Sequence, residues 1–217
     1  MEEIFPGVFK EGKNLFTVNL APGRRVYNER LLKKGKLEYR SWDASRSKLA
    51  AAILNGLKTI PLAEGTKVLY LGASTGTTVS HVSDIIRADG IVYAVEFAER
   101  VFRNLLDVAA ARPNIAPIIG DARKPERYGW VEQCDVVYCD LADPQETEIA
   151  LRNAVEFLKP GGHLMIAIKS QSIDVTKPPE QIYREEAEKL RKAGLEVVEQ
   201  ASLEPYEDKH AMIVARK

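Results

Sequence analysis

The sequence predicts an α/β protein in which a mostly parallel sheet is covered by helices on both faces and preceded by a small β region. From residue 66 onward, short apolar runs alternate with helix-like stretches, which is typical of consecutive β–α units. The runs are apolar almost throughout, as in strands buried on both faces of a parallel sheet. The last two runs, LEVVEQASL and HAMIVARK, are joined by EPYEDK, a linker short enough for an antiparallel hairpin. Seven strands are therefore expected in this sheet.

The elements can be assigned in order along the chain. Residues 1–40 contain short strand-like runs separated by glycine and proline turns, and residues 45–58 predict a helix with Ser45 or Ser47 as its N-cap. The expected strands of the large sheet are KVLYLG, GIVYAVEF, NIAPIIGD, CDVVYCD and GGHLMIAIK. The expected helices are TTVSHVSDIIR, AERVFRNLLDVAAAR, PQETEIALRNAVEFL and QIYREEAEKLRKAG. We expect a small N-terminal β domain with its connecting helix at residues 1–55 and the α/β domain at residues 56–217.

Composition excludes several classes of protein. The 217 residues are 45% hydrophobic with zero formal net charge, which indicates a folded globular chain and argues against disorder. No apolar run approaches the roughly 18–20 residues of a membrane span, and the start, Met1-Glu2-Glu3, lacks the pattern of a secretory signal. Cys134 and Cys139 flank an apolar run, as small core residues do in a reducing compartment. We expect a cytoplasmic protein with no membrane association and no metal site.

The charge is distributed unevenly along the chain. Residues 1–60 contain 12 Lys and Arg against 6 Asp and Glu, so the remaining residues carry the opposite net charge of −6. A basic N-terminal third can attract a polyanion such as RNA, or it can be a solvated face, and charge alone leaves both open. Because the rest of the chain is acidic, we do not expect this protein to wrap a nucleic acid by itself. A partner that supplies more of the contacts to the nucleic acid's phosphates is favoured.

A glycine-containing turn and two acids indicate a nucleotide site. Gly72 follows the first strand, and Glu96 and Asp121 end the next two, where they can meet a ribose and an adenine amino group. Ser74 and Thr77 replace two of the three dinucleotide-fingerprint glycines, and no P-loop motif exists. A ligand with adenosine but no phosphates, S-adenosylmethionine, fits better than a dinucleotide. In the alternative interpretation the turn is purely structural, Glu96 is a surface charge and Asp121 is an N-cap.

Two charged residues end the following strands. Asp140 comes after CDVVYC and Lys169 after HLMIAI, so both are expected at the mouth of one crevice. A lysine at the end of a buried strand is costly unless it is paired or functional, and an Asp140–Lys169 ion pair alone would account for both residues. Lys48 and His210 are further candidates, although spacing alone does not assign them.

The chain contains the long segments YRSWDASRSKLAAAI, VLYLGASTGTTVSHVSDI, VYAVEF, GDAR, IAIKSQSID and LEPYEDKHAMIV, in this order over nearly its whole length. In sequence and in order these segments closely resemble the fibrillarin family, specifically the archaeal fibrillarin-like RNA 2′-O-methyltransferases. Two departures stand out. Asp143 replaces the glutamine that the family usually has in the loop after Asp140, which puts that side chain's contact in doubt. Asn28, in Tyr27-Asn28-Glu29, replaces a common glycine.

The resemblance implies a Rossmann-like class I S-adenosylmethionine-dependent methyltransferase behind a small N-terminal β domain. It implies a catalytic set at Lys48, Asp140, Lys169 and His210. With the rest of the turn and the loop after Asp140, the implied cofactor contacts are Gly72, Ala73, Ser74, Gly76, Thr77, Thr78, Glu96, Phe97, Asp121, Ala122, Leu141, Ala142 and Asp143.

The implied activity is ribose 2′-O-methylation of rRNA and pre-tRNA by the catalytic subunit of guide-RNA-directed C/D box ribonucleoprotein particles. The implied partners are the C/D box guide RNA, the target rRNA or tRNA, a Nop-type scaffold protein and a kink-turn-binding ribosomal-protein homologue, in an archaeal cytoplasm. The alternatives are a protein (glutamine) methyltransferase and a non-catalytic particle scaffold. A nucleotide-dependent oxidoreductase is disfavoured by Ser74 and Thr77.

For ribose methylation we expect Lys169 to act as the general base toward the hydroxyl. Lys48 is the neighbouring cation that would favour a neutral Lys169, and Asp140 would orient it. His210 would hold the ribose or phosphate, and positioning alone can contribute much of the rate.

Overall fold

The computed structural model describes all 217 residues. The fold contains two β-sheets. The N-terminal sheet is entirely antiparallel, in the order β1-β2-β3-β5-β4. The turns at Gly7, Gly12 and Gly35 have positive φ angles, which glycine adopts without steric cost. The expected short strands are present, and the hairpin of β4 and β5 is an addition to them. The strands are β1 (Glu2–Phe5), β2 (Val8–Glu11), β3 (Asn14–Val18), β4 (Leu31–Lys34) and β5 (Leu37–Trp42).

The connecting helix α1 (Lys48–Leu54) is shorter than the expected span of residues 45–58. Ser47 is its N-cap, and the Ser47 hydroxyl accepts a hydrogen bond from the Ala50 N–H at 3.4 Å. Ser45 belongs instead to a separate 3-10 turn, Ala44–Arg46. The helix ends at Leu54 because Asn55 caps it and Gly56 has a φ of 92°.

The large sheet has seven strands in the order β11-β12-β10-β9-β6-β7-β8. Its first five strands in the sequence are parallel, and β12 is antiparallel to both β10 and β11, which confirms the mostly parallel sheet with a C-terminal antiparallel hairpin. The strand order reverses between β6 and β9, where an open α/β sheet forms a ligand crevice. The strands are β6 (Lys67–Leu71), β7 (Ile91–Glu96), β8 (Ile115–Ile119), β9 (Cys134–Cys139), β10 (Leu158–Lys169), β11 (Glu196–Ser202) and β12 (His210–Arg216).

Helices cover both faces of the large sheet and divide its apolar side chains between two clusters. The first cluster also takes in Val8, Leu15 and Trp42 of the N-terminal sheet. Packing is therefore continuous from one sheet to the other, and the domain boundary after residue 55 stays a prediction. The helices are α2 (Thr77–Ile86), α3 (Glu99–Ala110), α4 (Glu146–Phe157), α5 (Ser170–Ile173) and α6 (Pro179–Lys192).

A buried ionic network joins the N-terminal sheet to α2. Arg40 on β5 is fully buried, with its guanidinium 2.6 Å from Glu29 Oε1 and 2.8 Å from Asp84 Oδ2. Asp84 also lies 3.2 Å from the guanidinium of Arg112. Part of the positive charge counted in the N-terminal third is thus neutralised inside the protein.

The two cysteines lie at the ends of β9, where both are free and buried, as the expected core residues are. Burial raises the pKa of the Cys134 thiol to about 12, so it stays protonated and a weak nucleophile. No helix combines the length and the apolar character needed to span a membrane.

Candidate active site

The turn between β6 and α2 is built on backbone conformations that favour glycine. Gly72 has a φ of 82°, and a Cβ at this position would collide with the carbonyl oxygen of Asp140. Gly76 is the N-cap of α2 with a φ of 88°. Close packing of the turn against the segment after β9 therefore requires Gly72.

Glu96 connects β7 to this turn. It is 6% exposed, and its two carboxylate oxygens accept hydrogen bonds from the N–H groups of Ser74 and Ala98, each at 2.8 Å. Glu96 is thus not the surface charge of the alternative interpretation. An ionised carboxylate has about four acceptor sites, so capacity for two ligand hydroxyls remains.

A cavity of about 150 Å³ lies beside Glu96 at the carboxyl end of the sheet. Eight of the thirteen predicted cofactor contacts line it: Gly72, Glu96, Phe97, Asp121, Ala122, Leu141, Ala142 and Asp143. The other five, Ala73, Ser74, Gly76, Thr77 and Thr78, lie in the turn and the first turn of α2. Thr78 is buried there and donates a hydrogen bond to the Ser47 hydroxyl at 3.0 Å.

Arg123 is a cavity residue that the sequence analysis missed. Its guanidinium donates to both oxygens of Asp121 at 3.0 Å, and this hydrogen bonding holds the pKa of Asp121 below its usual value. Asp121 also accepts the Arg123 backbone N–H, so it stabilises a turn rather than capping a long helix. Only the local spacing Asp-x-Arg in GDAR signals the pair.

Three of the four predicted catalytic side chains converge next to the cavity. Asp140 Oδ1 lies 2.7 Å from Lys169 Nζ and 3.4 Å from Lys48 Nζ, and all three side chains are at most 16% exposed. The topology explains the meeting, because Lys169 ends β10, Asp140 follows its parallel neighbour β9, and Lys48 begins α1. Since Asp140 contacts Gly72, the cavity and this cluster share a wall.

His210 is placed beside this cluster by strand pairing. Its Cα is opposite Lys169 in the antiparallel register of β10 and β12. Its Nδ1 lies 2.6 Å from the carbonyl oxygen of Asp208. A carbonyl only accepts, so Nδ1 carries a proton and donates it to this bond, and Nε2 is left free for another partner.

Glu146 is a second residue that the sequence analysis missed. This first residue of α4 is fully buried, and its Oε1 accepts the backbone N–H of Lys169 at 2.9 Å while Oε2 has no partner. Burial raises the pKa of Glu146 to about 8, a shift only partly opposed by the Lys169 N–H and ammonium. Its place in PQETEI gives no sign of this burial.

Nowhere do three or more His, Cys, Asp or Glu side chains form a group that could hold a metal ion.

Comparison with known proteins identifies the family. The sequence model described as Fibrillarin matches residues 1–217, the whole chain. The chain belongs to the fibrillarin family. It is 54% identical over 217 residues to the fibrillarin-like rRNA/tRNA 2′-O-methyltransferase of Sulfolobus acidocaldarius, covering 99% of this chain and 94% of that one. A more distant solved structure, a SAM-dependent methyltransferase from Aquifex aeolicus at 19% identity and a TM-score of 0.54, shares the fold over 71% of this chain.

Two solved fibrillarin structures are similar to this chain. The first is Aeropyrum pernix fibrillarin in complex with natively bound S-adenosyl-L-methionine, with a TM-score of 0.87 and 50% identity over 93% of this chain and 88% of that one. The second is a fibrillarin/Nop5p complex, with a TM-score of 0.88 and 38% identity over 99% of both chains. The Rossmann-like methyltransferase fold with an N-terminal β-sheet is thereby confirmed.

The departure at Asp143 has a structural role in this chain. Asp143 lines the cavity, and its Oδ1 accepts the Gln145 N–H at 2.8 Å, just before α4 begins. The carboxylate thus organises the entry to α4. The cofactor and catalytic contacts of the individual residues stay predictions.

Glu146 should give the protein a characteristic pH dependence of stability. Its carboxyl ionises near pH 4.5 when unfolded and near pH 8 when folded, so the folded state binds more protons between these values. Stability therefore falls as the pH rises through this window, by about 2 to 3 kcal/mol from pH 5 to pH 7. Glu146→Gln keeps an acceptor for the Lys169 N–H but does not ionise. The decrease in the free energy of unfolding that Glu146 causes between pH 5 and pH 7 should therefore be absent in this variant. Urea denaturation at each pH measures the free energy of unfolding.

The matched control is Glu156→Gln, which removes an exposed carboxylate from the same helix and should keep the wild-type slope. Equal slopes for Glu146→Gln and the wild type would show that Glu146 is ionised throughout.

Proposed function

We propose that this chain is an S-adenosylmethionine-dependent methyltransferase that methylates ribose 2′-hydroxyl groups of rRNA and tRNA. The supporting observation is the Lys48–Asp140–Lys169 cluster, which shares a wall with the Glu96 cavity. The names of the curated relatives give the same activity, and the A. pernix structure contains the cofactor.

The residues present fit this cofactor. Glu96 offers a buried carboxylate to the ribose hydroxyls, and Asp121 has acceptor capacity beyond its bonds to Arg123 for an adenine amino group. The apolar walls, including Leu141 and Ala122, suit the adenine faces. When bound, the cofactor supplies a methyl group on a positively charged sulfur.

The chain's own residues then act on the attacking hydroxyl. Lys169 takes the proton of the ribose 2′-hydroxyl, a group that is almost un-ionised at neutral pH. Asp140 positions the Lys169 amine, and Lys48 is a second cation beside the same carboxylate. His210 Nε2 is available to hold the ribose beside the cluster.

We propose that the chain works with a Nop-type scaffold protein on RNA substrates, since a fibrillarin relative forms a complex with Nop5p. A C/D box guide RNA would then select the target by base pairing, and a kink-turn-binding ribosomal-protein homologue would anchor it. With 7% aromatic residues, the chain offers few side chains for stacking on bases. This favours selection of the target sequence by a guide RNA and not by this protein. The cytoplasm of an archaeal cell is the proposed location.

Transfer of a radiolabelled methyl group tests this function. The purified chain is incubated with labelled S-adenosylmethionine and target RNA, with and without a Nop-type scaffold, the kink-turn-binding protein and a guide RNA. We expect label on one guided 2′-hydroxyl in the complete mixture only. Label on protein glutamine would favour a protein methyltransferase, and no label on any acceptor would favour a scaffold without activity.

Replacement of Glu96 by alanine should weaken S-adenosylmethionine binding by about 10- to 100-fold, the effect of losing hydrogen bonds to a charged acceptor. The loss also frees the Ser74 N–H that orders the turn. Isothermal titration calorimetry measures the Kd, with the exposed Glu99→Gln as a control. An unchanged Kd for the alanine variant would refute the ribose role.

A further inference from the structure

A second, larger cleft of about 910 Å³ lies between the N-terminal sheet and α3. One wall is the loop of residues 21–28, the other is the face of α3 that carries Asn104 and Asp107, and Thr75 of the glycine-containing turn borders it. None of the predicted cofactor or catalytic residues lines this cleft. We call it the arginine cleft, after Arg24, Arg25 and Arg46.

The charge of the arginine cleft is largely uncompensated. Arg24, Arg25 and Arg46 are all exposed, and none forms a salt bridge, in contrast to the buried Arg112 at the base of the cleft. Asp107 is the one acidic residue in the lining. Arg46 lies over the ring of Tyr27 with its guanidinium carbon 5.4 Å from the ring centroid. Three available guanidinium groups in one concave surface suit a polyanion.

The loop that carries two of these arginines is fixed by hydrogen bonds. The buried carboxylate of Glu29 accepts the N–H groups of Val26 and Tyr27 at 2.8 to 3.0 Å. Asn19 donates to the carbonyl oxygen of Arg24 at 3.2 Å. A ligand therefore meets guanidinium groups on a preformed backbone, which lowers the entropy cost of binding.

The arginine cleft leads toward the reactive cluster. Arg46 is two residues before Lys48, so their Cα atoms are at most about 7 Å apart. Ser47, between them, contacts Thr78 at the start of α2. The two cationic groups therefore lie within the length of a few nucleotides, each of which adds about 3.4 Å along a helical strand.

We propose that the arginine cleft binds the phosphodiester backbone of the RNA that carries the methylated ribose, a few nucleotides away from that ribose. This inference rests on the proposed function and adds residues that hold the substrate by its phosphates. The cleft would fix the strand's direction without reading bases, because guanidinium–phosphate contacts carry no sequence information. An acidic protein surface is the competing occupant of the cleft, and the test below distinguishes it from RNA.

The test compares two double variants of equal charge in the complete particle. Arg24→Gln/Arg25→Gln removes two cleft cations, and Lys33→Gln/Lys36→Gln removes two exposed cations from the β4–β5 hairpin. The affinity for a fluorescent target RNA is measured with the guide present, at several salt concentrations. The cleft variant should raise the Kd about 10-fold at low salt and reduce the salt slope by about 2, while the control stays near the wild type.

Three results would overturn the proposal: an unchanged RNA Kd and salt slope for the cleft variant, an equal loss in the control, or weakened binding of the scaffold protein without RNA. The last result would assign the cleft to a protein partner. S-adenosylmethionine affinity and the melting temperature should match the wild type in both variants. RNA binding is measured without turnover, so a wild-type particle that binds RNA but transfers no methyl group would contradict the proposed function and leave the cleft standing.

Discussion

Replacing Lys169 with alanine is expected to reduce methyl transfer by about 10²- to 10⁴-fold, the usual contribution of a positioned general base. The Kd for S-adenosylmethionine should stay near the wild-type value, because Lys169 lies outside the lining of the Glu96 cavity. Single-turnover transfer to guided RNA measures the chemical step, and calorimetry measures cofactor binding.

Lys169→Arg sharpens this experiment. Arginine keeps the positive charge and can still pair with Asp140, but it does not give up a proton in proteins. If Lys169 acts as a base, the arginine variant should be as inactive as the alanine variant. Substantial activity in Lys169→Arg would show that charge or positioning is the contribution of this residue, and wild-type rates in both would remove it from the mechanism. Lys192→Ala, on the exposed end of α6, is the matched control.

Replacing Arg40 with alanine is expected to destabilise the protein by about 3 to 5 kcal/mol, because it leaves the carboxylates of Glu29 and Asp84 buried without their main partner. Arg112 still contacts Asp84, but Glu29 has no other salt bridge. For a chain of this size the melting temperature should fall by roughly 6 to 20 °C. Urea denaturation gives the free energy of unfolding, and Arg30→Ala, exposed next to the same hairpin, is the control.

A double variant separates the unpaired charge from lost packing. Arg40→Met combined with Glu29→Gln should recover part of the stability that Arg40→Met loses, because the glutamine carries no buried charge. A loss below about 1 kcal/mol in Arg40→Ala would mean that water reaches the network and solvates both carboxylates.

The sequence predicted the large sheet well because its central strands are buried on both faces. Runs such as CDVVYC are apolar at every position except Asp135, which is typical of strands in a parallel sheet covered on both sides. The meeting of Asp140 and Lys169 was predictable for the same reason, because the ends of adjacent parallel strands share one edge. The hairpin of β4 and β5 was missed, because LLKK and LEYRSW mix charged and apolar residues and lack a regular alternation.

The residues that sequence reasoning missed depend on distant partners. Arg40 lies between Tyr39 and Ser41 and is typical of a solvent-facing strand position, but Asp84, 44 residues later, makes its burial tolerable. Glu146 looks like an acid in the first turn of an exposed helix, where such residues are common. Glu146 is buried because it lies against the end of β10, where its carboxyl accepts the backbone N–H of Lys169. No local pattern contains either piece of information.

The glycine at position 72 has an evolutionary consequence. Any side chain there would push against the carbonyl of Asp140 and shift the carboxylate that holds Lys169. A mutation that reshapes the Glu96 cavity at this point would therefore disturb the Lys48–Asp140–Lys169 cluster in the same step. Selection at this position acts on the cavity and the cluster together.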